Sequence, residues 1–203
     1  MTRTDSHSRT RQRLLRAALR HFAHSGYAAA AVQHIVDDAR VSKPALYYHF
    51  KDKAGLFQAL VDEAHDQRYR LMQSAVARRK DLEGRMVEIL VSSFDFLRRN
   101  RELMRIAFAT AFASAGEMPK GLKYSDKCER NFEFIHELMK SARAAGVLDK
   151  RFDSEELAFS FYGLLSAHLA TQLVVPECRL YRRGAGRIVK LFLTGAAARK
   201  RTG

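Results

Sequence analysis

The chain has 203 residues, of which 47% are hydrophobic and only three are Pro, so it can bury a large core and is too apolar to be disordered. No apolar run approaches the roughly 18–20 residues that span a bilayer, and the N-terminus lacks the apolar segment of a secretory signal. The two cysteines form no CxxC motif. They are most simply free thiols in a reducing compartment, so we predict a cytoplasmic protein that does not bind membranes.

The net charge of +14 is concentrated at the two ends of the chain. Residues 1–53 hold ten Lys or Arg and four Asp or Glu, and residues 179–203 hold eight Lys or Arg and no acid. Basic ends favour a polyanion as partner, although a solvated basic surface gives the same composition. The residue pattern within 1–53 favours the polyanion, whereas the role of 179–203 stays open.

We predict a flexible basic arm over residues 1–8, then a first helix from about Thr10 to Ser25, which Gly26 ends. The apolar stripe of this helix comprises Leu15, Ala18, Leu19 and Phe22. His21 and His24 are three residues apart, a spacing that metal ligands use. Without an acidic or Cys partner nearby they predict a solvated surface instead, so we expect no metal and no cofactor.

Two short helices joined by a turn over residues 40–42 come next. The apolar face of the second helix comprises Val32, Ile35, Val36 and Ala39. In the third helix, over residues 43–50, Leu46 and Phe50 share the inward face, and we expect the Ser42 hydroxyl to cap its N-terminus. Lys43, Tyr47 and Tyr48 then face outward, with His49 at the edge. Two helices in this arrangement are typical of a helix-turn-helix, whose second helix enters the major groove.

Residues 9–57 resemble the DNA-binding domain of the TetR (tetracycline repressor-like) family of bacterial regulators. The resemblance rests on Ala17, Ala18, Phe22, Gly26, Tyr27, Val32, Ile35, Ala39, Val41, Leu56 and Phe57, and on the run S-K-x-x-L-Y-Y-H-F-x-x-K from Ser42 to Lys53. It implies a three-helix head, with Lys43 and Tyr47 near bases or phosphates and Tyr48, His49 and Lys53 on the phosphate backbone. The predicted DNA-binding residues are Arg40, Ser42, Lys43, Pro44, Ala45, Tyr47, Tyr48, His49 and Lys53.

The chain departs from the family pattern at two places. Ala30 and Ala31 stand where the family usually has Ser or Thr before the second helix, which removes a side-chain cap and a phosphate contact. Arg40 stands where the family usually has Gly in the turn, so we expect strain if the backbone there needs a positive φ. We hypothesise that the Arg40 cation offsets the lost hydroxyl.

About six further helices are predicted between Lys53 and Ala197, because apolar residues recur with helical and never with strand spacing. The predicted fold class is all-α with about nine helices, namely a three-helix helix-turn-helix head followed by a C-terminal helical bundle. We assign residues 1–52 to DNA binding and residues 53–203 to effector binding and dimerisation.

The eighth and ninth helices are apolar on nearly every face, which predicts a homodimer interface, with a monomer core as the alternative. The predicted interface residues are Phe159, Gly163, Ser166, Ala167, Ala170, Ile188, Leu191 and Phe192. Large apolar residues of the fifth to eighth helices indicate either a filled core or a ligand cavity, and the family resemblance implies a cavity. Its predicted lining comprises Phe94, Met104, Phe108, Phe112, Phe132, His136, Met139, Phe161, Tyr162 and His168.

The resemblance implies a ligand-responsive repressor that binds a pseudopalindromic operator as a dimer and is released by a small apolar or aromatic effector. An enzyme is one rival, but the chain has no GxSxG, P-loop, GxGxxG or HExxH motif, so we expect none. A membrane-associating helical protein is the other rival. The basic first helix suits it, yet the apolar face of that helix is needed to pack the helix-turn-helix.

Overall fold

The computed structural model describes residues 3–113, 117–119, 121, 125–175, 177 and 180–196. Within these residues the chain forms nine α-helices and no β-strand, which confirms the predicted all-α fold class. The helices are α1 (Arg3–Ala29), α2 (Val32–Ala39), α3 (Lys43–Phe50), α4 (Lys53–Ala77), α5 (Leu82–Arg99), α6 (Arg101–Phe112), α7 (Ser125–Ala144), α8 (Ser154–Val174) and α9 (Arg182–Ala196).

The N-terminal arm differs from the prediction. The predicted flexible segment is helical from Arg3, because α1 extends two turns further towards the N-terminus and packs there against α3. At Gly26 the backbone leaves the helical region (φ 76°, ψ 170°), so the predicted stop lies at the right residue and one more turn follows it. Pro176, which we expected to end α8, and the basic tail 199–201 lie outside the described residues.

One compact unit comprises Met1–His65 and Asn100–Ser125. In this unit α1 packs against α2, α3 and α6. The core contains side chains from every helix of the head, and the largest of them are Leu14, Phe22, Ile35, Leu46, Phe50, Leu56 and Phe57. The Phe57 ring lies 5.1 Å from both the Phe22 and the Tyr27 ring, so the start of α4 is part of the same core.

The other compact unit comprises Asp66–Arg99 and Asp126–Gly203. Within it α5 packs against α8 and α9. Glu88 of α5 is buried and accepts hydrogen bonds from Arg182 of α9 and from Arg79. The hydrogen bond from Arg182, assisted by Arg79, lowers the pKa of Glu88 to about 2 although burial opposes the shift. One ionised carboxylate therefore joins α9 to α5. The functional division at residue 52 stays a prediction.

The last two helices have different surfaces. By length and composition alone α8 is apolar enough to cross a bilayer, contrary to our expectation, but the core helix of a soluble protein passes the same test. Its buried Leu157, Phe161, Leu165 and Leu169 face the core at helical spacing. The prediction that α9 is apolar on nearly every face is wrong, because only Ala185 and Val189 are fully buried and several cations occupy the exposed side.

Candidate nucleic-acid interface

The turn between α2 and α3 is built around Arg40. Its backbone is left-handed (φ 51°, ψ 51°), and its N–H donates to Asp37 O while the N–H of Val41 donates to Val36 O, both at 3.0 Å. This geometry closes the end of α2 and is strained for any residue with a Cβ, by about 1–2 kcal/mol. The Arg13 guanidinium of α1 donates to Arg40 O at 2.8 Å and fixes the turn from the other side.

The two faces of α3 are divided as the spacing predicts. Leu46 and Phe50 are buried, whereas Lys43 is exposed and Tyr47 and Tyr48 are 46% and 76% exposed. Pro44 lies in the first turn, where it removes no helical hydrogen bond. An exposed cation and two exposed phenols on one short helix can donate to phosphate oxygens and reach base edges.

Ser42 lies at the N-cap of α3, but its hydroxyl makes no capping hydrogen bond, so the mechanism that we predicted for it is wrong. At the N-terminus of α3 it is instead the backbone carbonyl of Ser42 that forms a hydrogen bond, accepting from Ala45 N–H at 3.0 Å. The exposed hydroxyl is thus available to a ligand of the helix end. Ala45 is half-buried beside it and offers little but van der Waals contact.

Lys53 was predicted to contact the phosphate backbone, and the structure gives it another role. Its Nζ donates to three carbonyl oxygens before α2, those of Tyr27 (2.9 Å), Ala28 (3.2 Å) and Ala30 (3.1 Å). It also lies 4.5 Å from the centroid of the Tyr27 ring. An ammonium group has three N–H donors. All three are occupied, so Lys53 links the start of α4 to the last turn of α1 and to Ala30, which follows it.

The first turns of α1 contribute to this surface, which the sequence did not predict. The His7 ring lies 4.2 Å from the His49 ring and 5.3 Å from the Tyr48 ring, and the Arg11 guanidinium lies 5.3 Å from the Phe50 ring. His7 and Arg11 are four residues apart and therefore share one face of α1. The four-residue spacing of His7 and Arg11 could have predicted their shared position on this surface, but only if residues 1–8 had been expected to be helical.

We expect Lys43→Ala to weaken operator binding about tenfold and to reduce the slope of log affinity against log salt by about 1, since one phosphate contact is lost. Tyr48→Phe should weaken binding less, because it removes only a hydroxyl. Both side chains are exposed, so melting temperatures should hardly change. A gel-shift salt titration beside thermal melts measures both effects, with exposed Lys150→Ala as control. Loss of folding in either variant would contradict the assigned positions.

We expect Ala31→Ser to strengthen both the fold and the DNA complex. Ala31 is the exposed N-cap of α2 with extended backbone (φ −86°, ψ 133°) and no side-chain cap. A serine hydroxyl there adds the missing hydrogen bond, worth about 1 kcal/mol, and a phosphate ligand at the helix end. Urea unfolding and gel shifts measure the two gains. Exposed Ala29→Ser, two residues earlier, should give neither, and equal gains from both variants would exclude capping as the cause.

We expect operator affinity to rise as the pH falls from about 8 to about 6. Burial first, then the charges of His7 and Arg11, lower the pKa of His49, so the free protein holds a neutral imidazole at pH 7. DNA phosphates favour imidazolium, so binding takes up a proton. The unfolded chain has the higher His49 pKa, so the same acidification lowers the free energy of unfolding. Gel shifts across this range should show that the affinity of His49→Gln depends less on pH than that of the wild type, whereas exposed His24→Gln should behave like the wild type.

The family profile described as "Bacterial regulatory proteins, tetR family" matches residues 14–60, which contain α2 and α3 with the exposed Lys43, Tyr47 and Tyr48. Residues 14–60 thus form a DNA-binding domain of the TetR family. The chain is 24% identical over 190 residues to the uncharacterized HTH-type transcriptional regulator YdgC of Bacillus subtilis, with 92% of each protein covered. The chain is thus a helix-turn-helix transcription regulator that binds DNA, and not an enzyme.

Two further relatives match different shares of the chain. An HTH-type transcriptional repressor of Mycobacterium tuberculosis is 35% identical over 97 residues, which cover 47% of this chain and about half (49%) of that protein. The solved structure of the fatty acid degradation regulator FadR from Bacillus halodurans aligns with a TM-score of 0.76 at 19% identity, covering 91% of this chain and 98% of that one. The second match concerns the fold alone.

The predicted pocket residues fall into two groups by burial. Phe94, Met104, Met139 and Phe161 are fully buried, and Phe108, Phe132, His136, Tyr162 and His168 are half-buried. Met104 and Phe108 belong to the first compact unit and the other residues named here to the second, while the Phe112 side chain lies outside the described part.

The two histidines of this set have partners inside the fold. His136 Nε2 lies 3.1 Å from Ser154 Oγ, and His168 Nδ1 lies 2.7 Å from Leu164 O. Each histidine thus has a hydrogen-bond partner inside the fold, as the filled-core alternative requires. The cavity that we predicted for this set stays a prediction.

None of the eight predicted interface residues is fully buried within the chain. Phe159 of α8 is 60% exposed and Leu191 of α9 is 75% exposed. Gly163 and Ala167 are exposed between these helices' larger side chains, and Ser166, Ala170, Ile188 and Phe192 are half-buried. An open groove of about 620 Å³ runs along α9 from Leu180 to Thr194, with His168 of α8 at its side.

Proposed function

We propose that this TetR-family regulator is a cytoplasmic, ligand-responsive repressor that binds a pseudopalindromic operator as a homodimer. The observation that carries the proposal is the exposed set Lys43, Tyr47 and Tyr48 on α3, a helix whose buried side chains are Leu46 and Phe50. Such a helix is shaped for the major groove, and its side chains match phosphate and base-edge chemistry.

The exposed apolar face of α8 and α9 supports the homodimer. Apolar side chains such as Phe159 and Leu191 lose contact with water when a second copy covers them, which favours association. The small residues Gly163 and Ala167 allow close approach of a facing helix. A two-fold dimer presents two copies of α3 to successive major grooves, and a pseudopalindromic operator matches that symmetry.

The remaining parts of the proposal concern the effector and the sign of regulation. The aromatic and thioether side chains of α5 to α8 suit a small apolar or aromatic effector, whose binding releases the operator by shifting the population of states. One relative is named a transcriptional repressor, and one structural relative is named a fatty acid degradation regulator. The first name supports repression in this chain, whereas the apolar effector rests on the side chains of α5 to α8.

A gel shift against the DNA upstream of the protein's own gene tests the proposal. We expect binding to this DNA to exceed binding to a scrambled duplex of the same composition at least about a thousandfold, with a salt slope that reports the phosphate contacts. Sedimentation of the complex should give two chains per operator. Equal affinity for the scrambled duplex would refute operator recognition, and one chain per operator would refute the homodimer.

A further inference from the structure

Arg68 of α4 is a cation buried in the second compact unit, with 8% of its surface exposed. Its Nη2 donates to Tyr162 Oη of α8 at 3.3 Å, and its guanidinium carbon lies 5.5 Å from the centroid of the Tyr162 ring. Among the described residues no carboxylate forms an ion pair with it, and it has no other polar partner there. Arg68 is therefore a buried charge held by a neutral phenol.

The acidic side chain of Asp66, two residues earlier on α4, is engaged elsewhere. It accepts from Lys127 at 2.6 Å and from Arg130 at 2.8 Å, both on α7. Burial opposes ionisation of Asp66, but these two hydrogen bonds keep its pKa below the ordinary value. Asp66 is therefore already bound by two cations of α7.

A buried cation without a counter-charge is unfavourable, because a phenol replaces only part of the hydration that the guanidinium loses. Arg68 has five N–H donors in a planar fork, of which Tyr162 accepts one. The fork matches the two oxygens of a carboxylate better than any single-atom acceptor. Tyr162 suits the same ligand, since burial raises its pKa and its phenol is protonated at neutral pH.

We propose that Arg68 and Tyr162 bind the acidic group of the effector, which is an amphipathic carboxylate. The Phe132 ring lies 6.0 Å from the Tyr162 ring and 4.4 Å from the Phe159 ring, so aromatic surface for the apolar part begins beside the charged group. The inference rests on the proposed control by an effector. It narrows the class of effector from an apolar or aromatic molecule to an apolar molecule with one carboxylate.

Arg68→Met separates this role from a purely structural one. A structural cation lowers the melting temperature of the ligand-free protein when it is removed, whereas a cation kept for a ligand does not, because methionine fills the buried stem without the charge. We expect Arg68→Met to melt at or above the wild-type temperature. Arg78→Met, just beyond the C-terminus of α4 and exposed, is the matched control.

Calorimetry with dodecanoate and 2-naphthoate, each beside its neutral alcohol, gives the ligand readout. The wild type and Arg78→Met should bind at least one acid roughly tenfold or more tightly than its alcohol. Arg68→Met should reduce that preference to within about twofold, and Arg68→Lys, which keeps the charge but loses the fork, should retain only part of it. Tyr162→Phe should weaken binding of the acid and leave the affinity for the alcohol unchanged.

Three results would overturn the proposal: no preference for either acid in the wild type, an unchanged preference in Arg68→Met, or a lower melting temperature of ligand-free Arg68→Met. Release of operator DNA, followed by gel shift with the same compounds, keeps the proposed function separate. Acids that bind through Arg68 without releasing DNA would support the binding site and refute the proposal that the effector releases operator DNA. Equal release by acids and alcohols would support effector control and refute the role of Arg68.

Discussion

Leu191→Glu is expected to convert the homodimer into monomers and to lower operator affinity at least about a hundredfold. Leu191 is 75% exposed on α9, on the face that we assign to the partner. In a two-fold dimer the substitution buries two carboxylates in an apolar contact, where each loses its hydration without a counter-charge. A monomer contacts one half-site, and a hundredfold loss corresponds to about 2.7 kcal/mol, well below the contribution of a whole second head.

Sedimentation velocity and operator gel shifts measure the two effects of Leu191→Glu together. Val147→Glu is the matched control, because Val147 is an apolar residue that is 50% exposed in the turn after α7 and does not belong to α8 or α9. This substitution should leave both the mass of the assembly in solution and the affinity for the operator unchanged. A dimer that persists in Leu191→Glu would show that another face of the chain forms the interface.

Lys53→Met is expected to lower the free energy of unfolding by about 2–3 kcal/mol. The change removes charge-assisted hydrogen bonds to the carbonyls of Tyr27, Ala28 and Ala30 and leaves these acceptors with fewer partners. The methionine keeps most of the apolar stem, so the loss reports the ammonium group and not the packing. Urea unfolding at neutral pH measures the effect through a lower midpoint with unchanged slope.

The exposed Lys51, two residues earlier, supplies the control for Lys53→Met. Lys51→Met should change stability by less than about 0.5 kcal/mol, because its side chain is in water. The family resemblance, by contrast, implies that Lys53 contacts phosphate. In that case Lys53→Met would leave the unfolding midpoint unchanged and reduce only the DNA affinity and its salt slope.

The helical spacing in the sequence was sufficient to predict the faces of α3. Leu46 and Phe50 are four residues apart and buried, and Tyr48 lies opposite and is exposed, because burial in a helix follows a period of 3.6 residues. The positive φ at Arg40 was also predictable, since the turn requires a left-handed residue regardless of which side chain occupies it.

The features that the sequence did not predict depend on contacts distant along the chain. Lys53 binds backbone carbonyls, which every residue has, so no side-chain pattern marks its partners. The first turns of α1 have no apolar stripe, and their contact is between His7 and His49, 42 positions away. Apolar composition likewise cannot distinguish a cavity from a filled core, and Phe94 and Phe161 are fully buried.

The packing of α1 on α6 determines how this regulator can be recombined with others. A chimera that exchanges heads at residue 52 would separate α1 from α6 and from Phe57, and would expose apolar surface on both fragments. An exchange that carries residues 1–65 together with 100–125 transfers the compact unit intact. In this chain the portable DNA-reading module is thus discontinuous in sequence, and a graft should preserve operator choice only when both segments move together.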